Sequence, residues 1–439
     1  MKQVHIATFG CQMNERDSQT IAQLLLSCDY QVTQKMEEAD LILVNTCSIR
    51  QKAEEKTYSL LGRLKRLKNR NPDLVIGVGG CVAQQEGERL LERVPHLDLV
   101  FGTRMIHQLP GLIEKVRRGK NRLSRIDMDQ GDLFLNSLLM TPEFSRGVKA
   151  SVTIMQGCNN YCAYCVVPFV RGPEESRPSQ EILSEVETLA AHGVKEILLL
   201  GQNVNSYGQN RAGEIAFASL LHLLEKVTGL ERIRFTTSHP KDLSPELIDC
   251  FGRISKLCEH IHLPVQAGSN RTLEKMNRRY TREAYLEKIA QLRQQCPGIA
   301  ITSDVIVGFP GETEADFDET MDLIRAVQLD DMFSFKYSNR PNTTASNFLN
   351  QVHEEEKSRR LGELQTYQKK VTLSKHQTME GKVQLVLVEG TSKKSSQEWM
   401  GRTRTNKIVN FPGPSDLLGK TVPVRIEKVY IHSLKGVLQ

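Results

Sequence analysis

The 439-residue chain has no long hydrophobic run. Its apolar stretches, such as Ile197 to Leu200, are far shorter than a bilayer span, which excludes a transmembrane helix. Aromatic residues are few, 6% with a single Trp, and neither an internal repeat nor a low-complexity tract is present, which excludes repeat arrays and biased disordered segments. The first residues run from Met1 into a strand-like Val4-His5-Ile6-Ala7, with no apolar signal region and no Arg/Ser-rich transit segment. A cytoplasmic protein without a membrane partner is the expectation. Charge of one sign is also scarce: 58 Lys and Arg face 52 Asp and Glu, a net of +6. That whole excess lies between Ser374 and Gln439, where eleven basic residues face five acidic ones. A basic module on a neutral body points to an anionic partner, nucleic acid before others, the bland alternative being a solvated Lys-rich tail.

Ten cysteines are present. In a reducing compartment they read first as metal ligands or catalytic thiols, not disulfides. Residues 1–120 alternate strand-like and helix-like stretches, the pattern of a parallel sheet covered by helices on both faces. Cys11, Cys47 and Cys81 each follow a predicted strand by one to four residues. Because ligands gather at the carboxyl ends of parallel strands, these three thiols are expected to converge on one edge. Residues 121–147 are polar and Gly-containing and read as a linker. Residues 148–373 carry six further strand–helix units, too few for a closed eight-fold barrel, and predict an open (β/α)6 partial TIM barrel with its site at the strand carboxyl ends. Residues 374–439 turn to β-rich alternation and predict a small OB-like barrel. The fold class is thus α/β with a C-terminal all-β module.

Cys158-Asn-Asn-Tyr-Cys162-Ala-Tyr-Cys165 directly follows the first predicted strand of the partial barrel. Three thiolates on a four-iron cube leave one iron without a protein ligand, and that iron can bind the amino and carboxylate groups of S-adenosylmethionine. Structural zinc is the alternative, but it needs a fourth ligand and usually shows paired C-x2-C knuckles.

C-x3-C-x2-C after a barrel strand resembles the radical S-adenosylmethionine superfamily. Gly10-Cys11-Gln12-Met13-Asn14, Asn45-Thr46-Cys47, Gly79-Gly80-Cys81, Arg171-Gly-Pro-Glu-Glu-Ser-Arg177-Pro178, Gly201-Gln202-Asn203 through Gly208, and His262-Leu-Pro-Val-Gln266 narrow the resemblance to the methylthiotransferases. It runs nearly end to end. It is closest to the branch acting on N6-isopentenyladenosine in tRNA, since relatives acting on a ribosomal protein typically carry Pro-Lys where this chain has Gln12-Met13. Gly401 to Asn406 and on through Phe411 resembles the TRAM domain of the tRNA-acting branch.

The resemblance implies two 4Fe-4S clusters, an auxiliary one on Cys11, Cys47 and Cys81 and a second on Cys158, Cys162 and Cys165 with exchangeable S-adenosylmethionine. It also implies two S-adenosylmethionine molecules per turnover, one methylating a sulfur at the auxiliary cluster and one generating a radical that abstracts hydrogen from C2 of the adenine beside the anticodon. Candidate S-adenosylmethionine contacts are Arg177, Gln266, Ser269 and Gly308, each also readable as loop-forming structure. Candidate RNA contacts are Lys393, Lys394, Arg402, Arg404 and Lys407, with Trp399 and Phe411 as stacking surfaces. Implied partners are tRNA carrying isopentenyladenosine, an electron donor such as flavodoxin or ferredoxin, and iron-sulfur assembly or carrier proteins; a monomer is expected. The same chemistry on threonylcarbamoyladenosine or on a ribosomal protein aspartate is the near alternative, and a non-enzymatic iron-sulfur RNA-binding protein the distant one. Cys28, Cys250, Cys258 and Cys296 lack ligand spacing and read as inert thiols.

Overall fold

Burial on both faces explains the apolar strands of the N-terminal third. In this computed structural model, which describes residues 1–48, 51–119, 121–128, 134, 147–392, 395 and 397–439, every residue of β3 (Leu41–Thr46) and β4 (Val75–Gly80) is buried. They sit in a parallel six-stranded sheet with β1 (Lys2–Thr8), β2 (Tyr30–Val32), β5 (Leu99–Phe101) and β6 (Leu123–Arg125), in the order β2-β1-β3-β4-β5-β6. Alternate residues of β3 serve opposite faces. Leu41 and Leu43 pack with Ile21 and Leu25 of α1 (Gln12–Leu26) and Leu112 and Ile113 of α5 (Leu109–Gly119). Ile42 and Val44 pack with Leu60, Leu61 and Leu64 of α2 (Gln51–Arg70) and with residues of α3 (Cys81–Glu86) and α4 (Glu88–Arg93). This is the expected three-layer arrangement. Strand β6 falls inside the stretch read as linker, and most of the remainder of 121–147 lies outside the described residues.

The chain separates into two compact units. The first holds this sheet together with residues 156–159 and 166–177, which include α6 (Val167–Arg171) and β9 (Glu175–Ser176). The second holds 145–155, 160–165 and 178–439, with β8 (Met155–Gln156) crossing the division.

In the second unit β7 (Lys149–Thr153), β10 (Glu196–Leu200) and β11 (Arg232–Phe235) form one parallel sheet, and β12 (His260–His262), β13 (Ala300–Val307) and β14 (Asp331–Lys336) form another. A parallel bridge between Ile233 and Leu257 joins them. Among the described residues no pairing joins β14 back to β7, so the expected six-stranded barrel is open. Helices α7 (Ser179–Ala191), α8 (Phe217–Glu225), α9 (Pro245–Arg253), α10 (Asn270–Lys275), α11 (Arg282–Gln295) and α12 (Glu314–Val327) connect the strands. A Thr313/Asp316 capping box opens α12. The 24-residue α13 (Glu354–Gln377) leads to the C-terminal module.

That module is a closed barrel of β15 (Val383–Thr391), β16 (Glu398–Thr403), β17 (Ile408–Pro412), β18 (Thr421–Val429) and β19 (Leu434–Leu438), in the order β15-β16-β17-β19-β18. Its core is built from Val386, Val388, Val409, Phe411, Val424, Ile426 and Leu434. Closure removes the free edges of so small a sheet. Two arginines of β11 tie this barrel to the partial barrel within the same unit. Arg232 donates to the carbonyl of Arg402 at 2.7 Å, and Arg234 to those of Arg404 and Thr403 at 2.8 and 2.7 Å.

Candidate active site

Three adjacent parallel strands end at three cysteines. Cys11 follows β1 as the N-cap of α1, Cys47 follows β3 directly, and Cys81 follows β4 as the first residue of α3. Gly10 makes the first turn possible: its φ is +127°, and a Cβ there would lie 2.5 Å from Cys47 Cβ. Gly80, at φ +89°, would drive a Cβ into the Thr46 carbonyl at 2.4 Å. The structure therefore brings the three predicted thiols together. A hydrogen bond with Cys47 lowers the Cys11 thiol to about 6, against opposing burial and with help from Arg171 and the amides of Asn14 and Met13. Burial raises the Cys81 thiol, while the nearby Arg171 charge pulls it down.

Among the described residues no three His, Cys, Asp or Glu side chains close on the position of one metal ion. Three thiolates are one ligand short of a closed tetrahedral zinc site, whereas a four-iron cube takes each thiolate at a different iron. Three soft thiols, one of them already acidic, beside a buried cation suit such a cluster, whose net charge is negative.

The second cysteine segment runs between β8 and α6. In the first unit, the Cys158 amide donates to the Gly172 carbonyl at 3.2 Å. In the second, Cys162 is buried with Arg278 Nη1 at 3.3 Å and His239 Nε2 at 4.0 Å from its sulfur. Arg278 also reaches the Tyr164 hydroxyl and the Pro264 carbonyl. Asn277 donates to the Tyr161 carbonyl, fixing a loop in which Tyr161 adopts φ +50°. A buried guanidinium against a cysteine sulfur is a donor that an anionic cluster would use, so this segment fits one too. Arg278 and His239 carried no spacing signal in the sequence; the basic run Asn277-Arg278-Arg279 after the fourth barrel strand was the only trace of the former. Burial, together with the neighbouring cations, holds His239 neutral.

The candidate S-adenosylmethionine contacts receive different uses. Gln266 adopts φ +75°, bridges Val305 across the strand ends and leaves its buried side-chain oxygen without a hydrogen-bond partner among the described residues. Backbone strain and a buried acceptor without a protein partner therefore coincide at this one residue. Ser269, the N-cap of α10, donates to Asp316 of α12 at 2.6 Å and so ties two helices, while the Gly308 amide donates to Glu312 at 2.8 Å and closes a local turn. Arg177 is fully buried in the first unit. On β12, His262 lies 3.4 Å from Asp304 and 3.0 Å from the Thr302 hydroxyl, with half-exposed Phe333 edge-on to its ring.

The expected RNA surface is largely redirected. Arg404 pairs with Glu259 and donates to the carbonyls of Ser255 and Leu257, and Lys407 pairs with Asp330 at 3.1 Å. Arg402 approaches Glu389 and Asn406. Arg404 and Lys407 thus hold the small barrel to its neighbour within the unit, whereas the Arg402 side chain pairs inside the small barrel itself. Phe411, expected as a stacking surface, is fully buried because it fills the barrel core, and Trp399 donates its indole N–H to the Pro414 carbonyl. Lys393 and Lys394 lie outside the described residues. The remaining thiols read as inert sit away from these sites: burial raises Cys250 and Cys258 to about 11 and raises Cys296 as well, and Cys28 is exposed.

Comparison with known proteins agrees with this layout. The model described as uncharacterized protein family UPF0004 matches residues 3–102, that of the Radical SAM superfamily residues 152–324, and that of the TRAM domain residues 377–438. A tRNA-2-methylthio-N(6)-dimethylallyladenosine synthase of Syntrophus aciditrophicus is 52% identical over 99% of this chain and 94% of its own length. One from Geobacter metallireducens is 53% identical over 100% and 98%. Among solved structures, the radical S-adenosylmethionine methyltransferase TsrM from Kitasatospora setae superposes with a TM-score of 0.58 at 15% identity, covering 79% of this chain and 77% of that one, a likeness of fold alone. The chain belongs to the tRNA-2-methylthio-N(6)-dimethylallyladenosine synthase family of the Radical SAM superfamily.

Proposed function

We propose that the protein is a radical S-adenosylmethionine methylthiotransferase that adds a methylthio group to C2 of N6-isopentenyladenosine (dimethylallyladenosine) at position 37 of tRNA, beside the anticodon. The observation that carries this reading is the convergence of Cys11, Cys47 and Cys81 on one sheet edge, in a chain that carries a second three-cysteine segment after its first barrel strand. Cys158, Cys162 and Cys165 would hold one 4Fe-4S cluster and the other three cysteines the auxiliary one. When bound, the clusters and S-adenosylmethionine supply the one-electron chemistry needed at an aromatic C–H bond that has no acidic proton.

The residues of the chain position and enclose that chemistry. Arg278 would place a cation at Cys162, Gln266 would offer an acceptor to the amino acid part of S-adenosylmethionine, and Arg177, Ser269 and Gly308 would support the surrounding turns. Residues 1–120 serve the auxiliary site, 148–373 the radical site and 374–439 the RNA, with 121–147 between them. An unstacked anticodon-loop base enters such a pocket more cheaply than a paired one. Lys393 and Lys394 are the basic residues we assign to the RNA backbone, with Arg402, Arg404 and Lys407 contributing where their internal pairs leave them accessible. The protein works in the cytoplasm as a monomer, with a flavodoxin or ferredoxin as electron donor and iron-sulfur carrier proteins restoring its clusters.

Anaerobic turnover on isopentenylated tRNA, read by nucleoside mass spectrometry, tests this. Cys47→Ala is expected to retain S-adenosylmethionine cleavage and lose methylthiolation, whereas Cys158→Ala loses both. Equal loss of both activities in Cys47→Ala contradicts separate roles. Methylthiolation of threonylcarbamoylated tRNA in preference to isopentenylated tRNA would move the assignment to the neighbouring branch.

A further inference from the structure

Arg171, the last residue of α6, is only 3% exposed in its side chain within the first unit. Its Nη2 donates to Asp17 at 2.7 Å and to the Asn14 side-chain oxygen at 2.9 Å. Its Nη1 is buried with no nitrogen or oxygen partner among the described residues, and the guanidinium lies within hydrogen-bonding reach of the Cys81 sulfur and near Cys11. Asn14 carries the contact further. Its amide donates to the carbonyls of Phe9 and Thr46, beside the Cys11 and Cys47 turns, and its oxygen lies 3.9 Å from the Cys11 sulfur. Cys81 itself packs on Val166, the N-cap of the same helix, and on Val170, next to Arg171. The backbone around Arg171 is held by Arg104, which donates to the Arg171 and Pro173 carbonyls and pairs with Glu175.

A buried ion pair is weak evidence for stability, because desolvation offsets its attraction, so Arg171 and Asp17 call for another account. The orphaned donor supplies one. A cluster ligated by thiolates is anionic, and hydrogen bonds to its sulfurs together with nearby charge set its potential. We propose that Arg171 is a positioning residue of the auxiliary site: it holds a fixed positive charge and an unspent N–H donor beside Cys11 and Cys81, favouring the reduced state of the cluster bound there, while Asp17 moderates that charge. The inference rests on the reading that Cys11, Cys47 and Cys81 bind a 4Fe-4S cluster.

The test is EPR-monitored redox titration of the fully loaded protein, with iron counted in every sample. A Cys158→Ala variant, lacking the other cluster, assigns the auxiliary signal. R171Q is expected to move the auxiliary potential negative and D17N to move it positive, with R171K close to wild type and iron content unchanged. A purely structural role would lower iron in each variant and produce no opposed shifts. Shifts of the same sign in R171Q and D17N, or none in either, overturn the proposal. If R171Q does not load iron, D17N decides alone: a positive shift supports the proposal and an unchanged potential overturns it. A Cys158→Ala protein with no cluster signal at all would instead refute the reading beneath it.

Discussion

Several single residues matter through backbone conformation. Asn342, in Arg340-Pro341-Asn342-Thr343, has a φ of +68°: the turn needs the left-handed region, which Gly enters freely and Asn tolerates. Asn342→Gly is expected to be near neutral in thermal unfolding and Asn342→Ala to cost about 1 kcal/mol. Gly10 is the more demanding case, since strain of about 1–3 kcal/mol at a positive φ is joined by collision with Cys47. Gly10→Ala is expected to lower bound iron to about half, with helical content by circular dichroism retained, because only one of the two proposed clusters loses its cradle. Of the site residues, the six cysteines were legible from spacing and resemblance. Arg278, and the contacts of Arg171, which stood out only as part of a family motif, were not, because their partners lie at least 114 residues away in sequence for Cys162 and Tyr164 and 154 for Asp17.

The repeated strand–helix pattern was readable: the six strands of the partial barrel appear in order. The three-residue strands β2, β5 and β6 were not, since so short a run shows no alternation, and β6 was hidden in polar sequence. Helix α5 begins Leu109-Pro110, which reads as a break although proline is well tolerated in a first helical turn. The basic residues of the C-terminal barrel were visible as charge, but not their use between barrels. There Arg234 satisfies two backbone carbonyls at once, and removing it orphans both, at about 1–3 kcal/mol for each. Arg234→Ala is therefore expected to lower the unfolding temperature and to open the chain to limited proteolysis between α13 and β15. Resistance equal to the wild type would show that the docking does not depend on these bonds.

At the scale of the whole molecule, three modules lie in a chain whose body is electrically neutral and whose last 66 residues hold the net charge. No described helix is long and apolar enough to cross a membrane. The thiols that the fold keeps buried and away from the strand ends stay protonated, while those at the ends of β1, β3 and β4 meet one another and a buried arginine. The most direct measurement is iron per chain in anaerobically reconstituted protein, alone and with Cys11, Cys47 and Cys81 all replaced by Ala. About eight irons in the parent and about four in the variant are expected, the variant still forming 5′-deoxyadenosine but no methylthiolated tRNA. An unchanged iron content in the variant, or zinc in place of iron in the parent, would contradict the account.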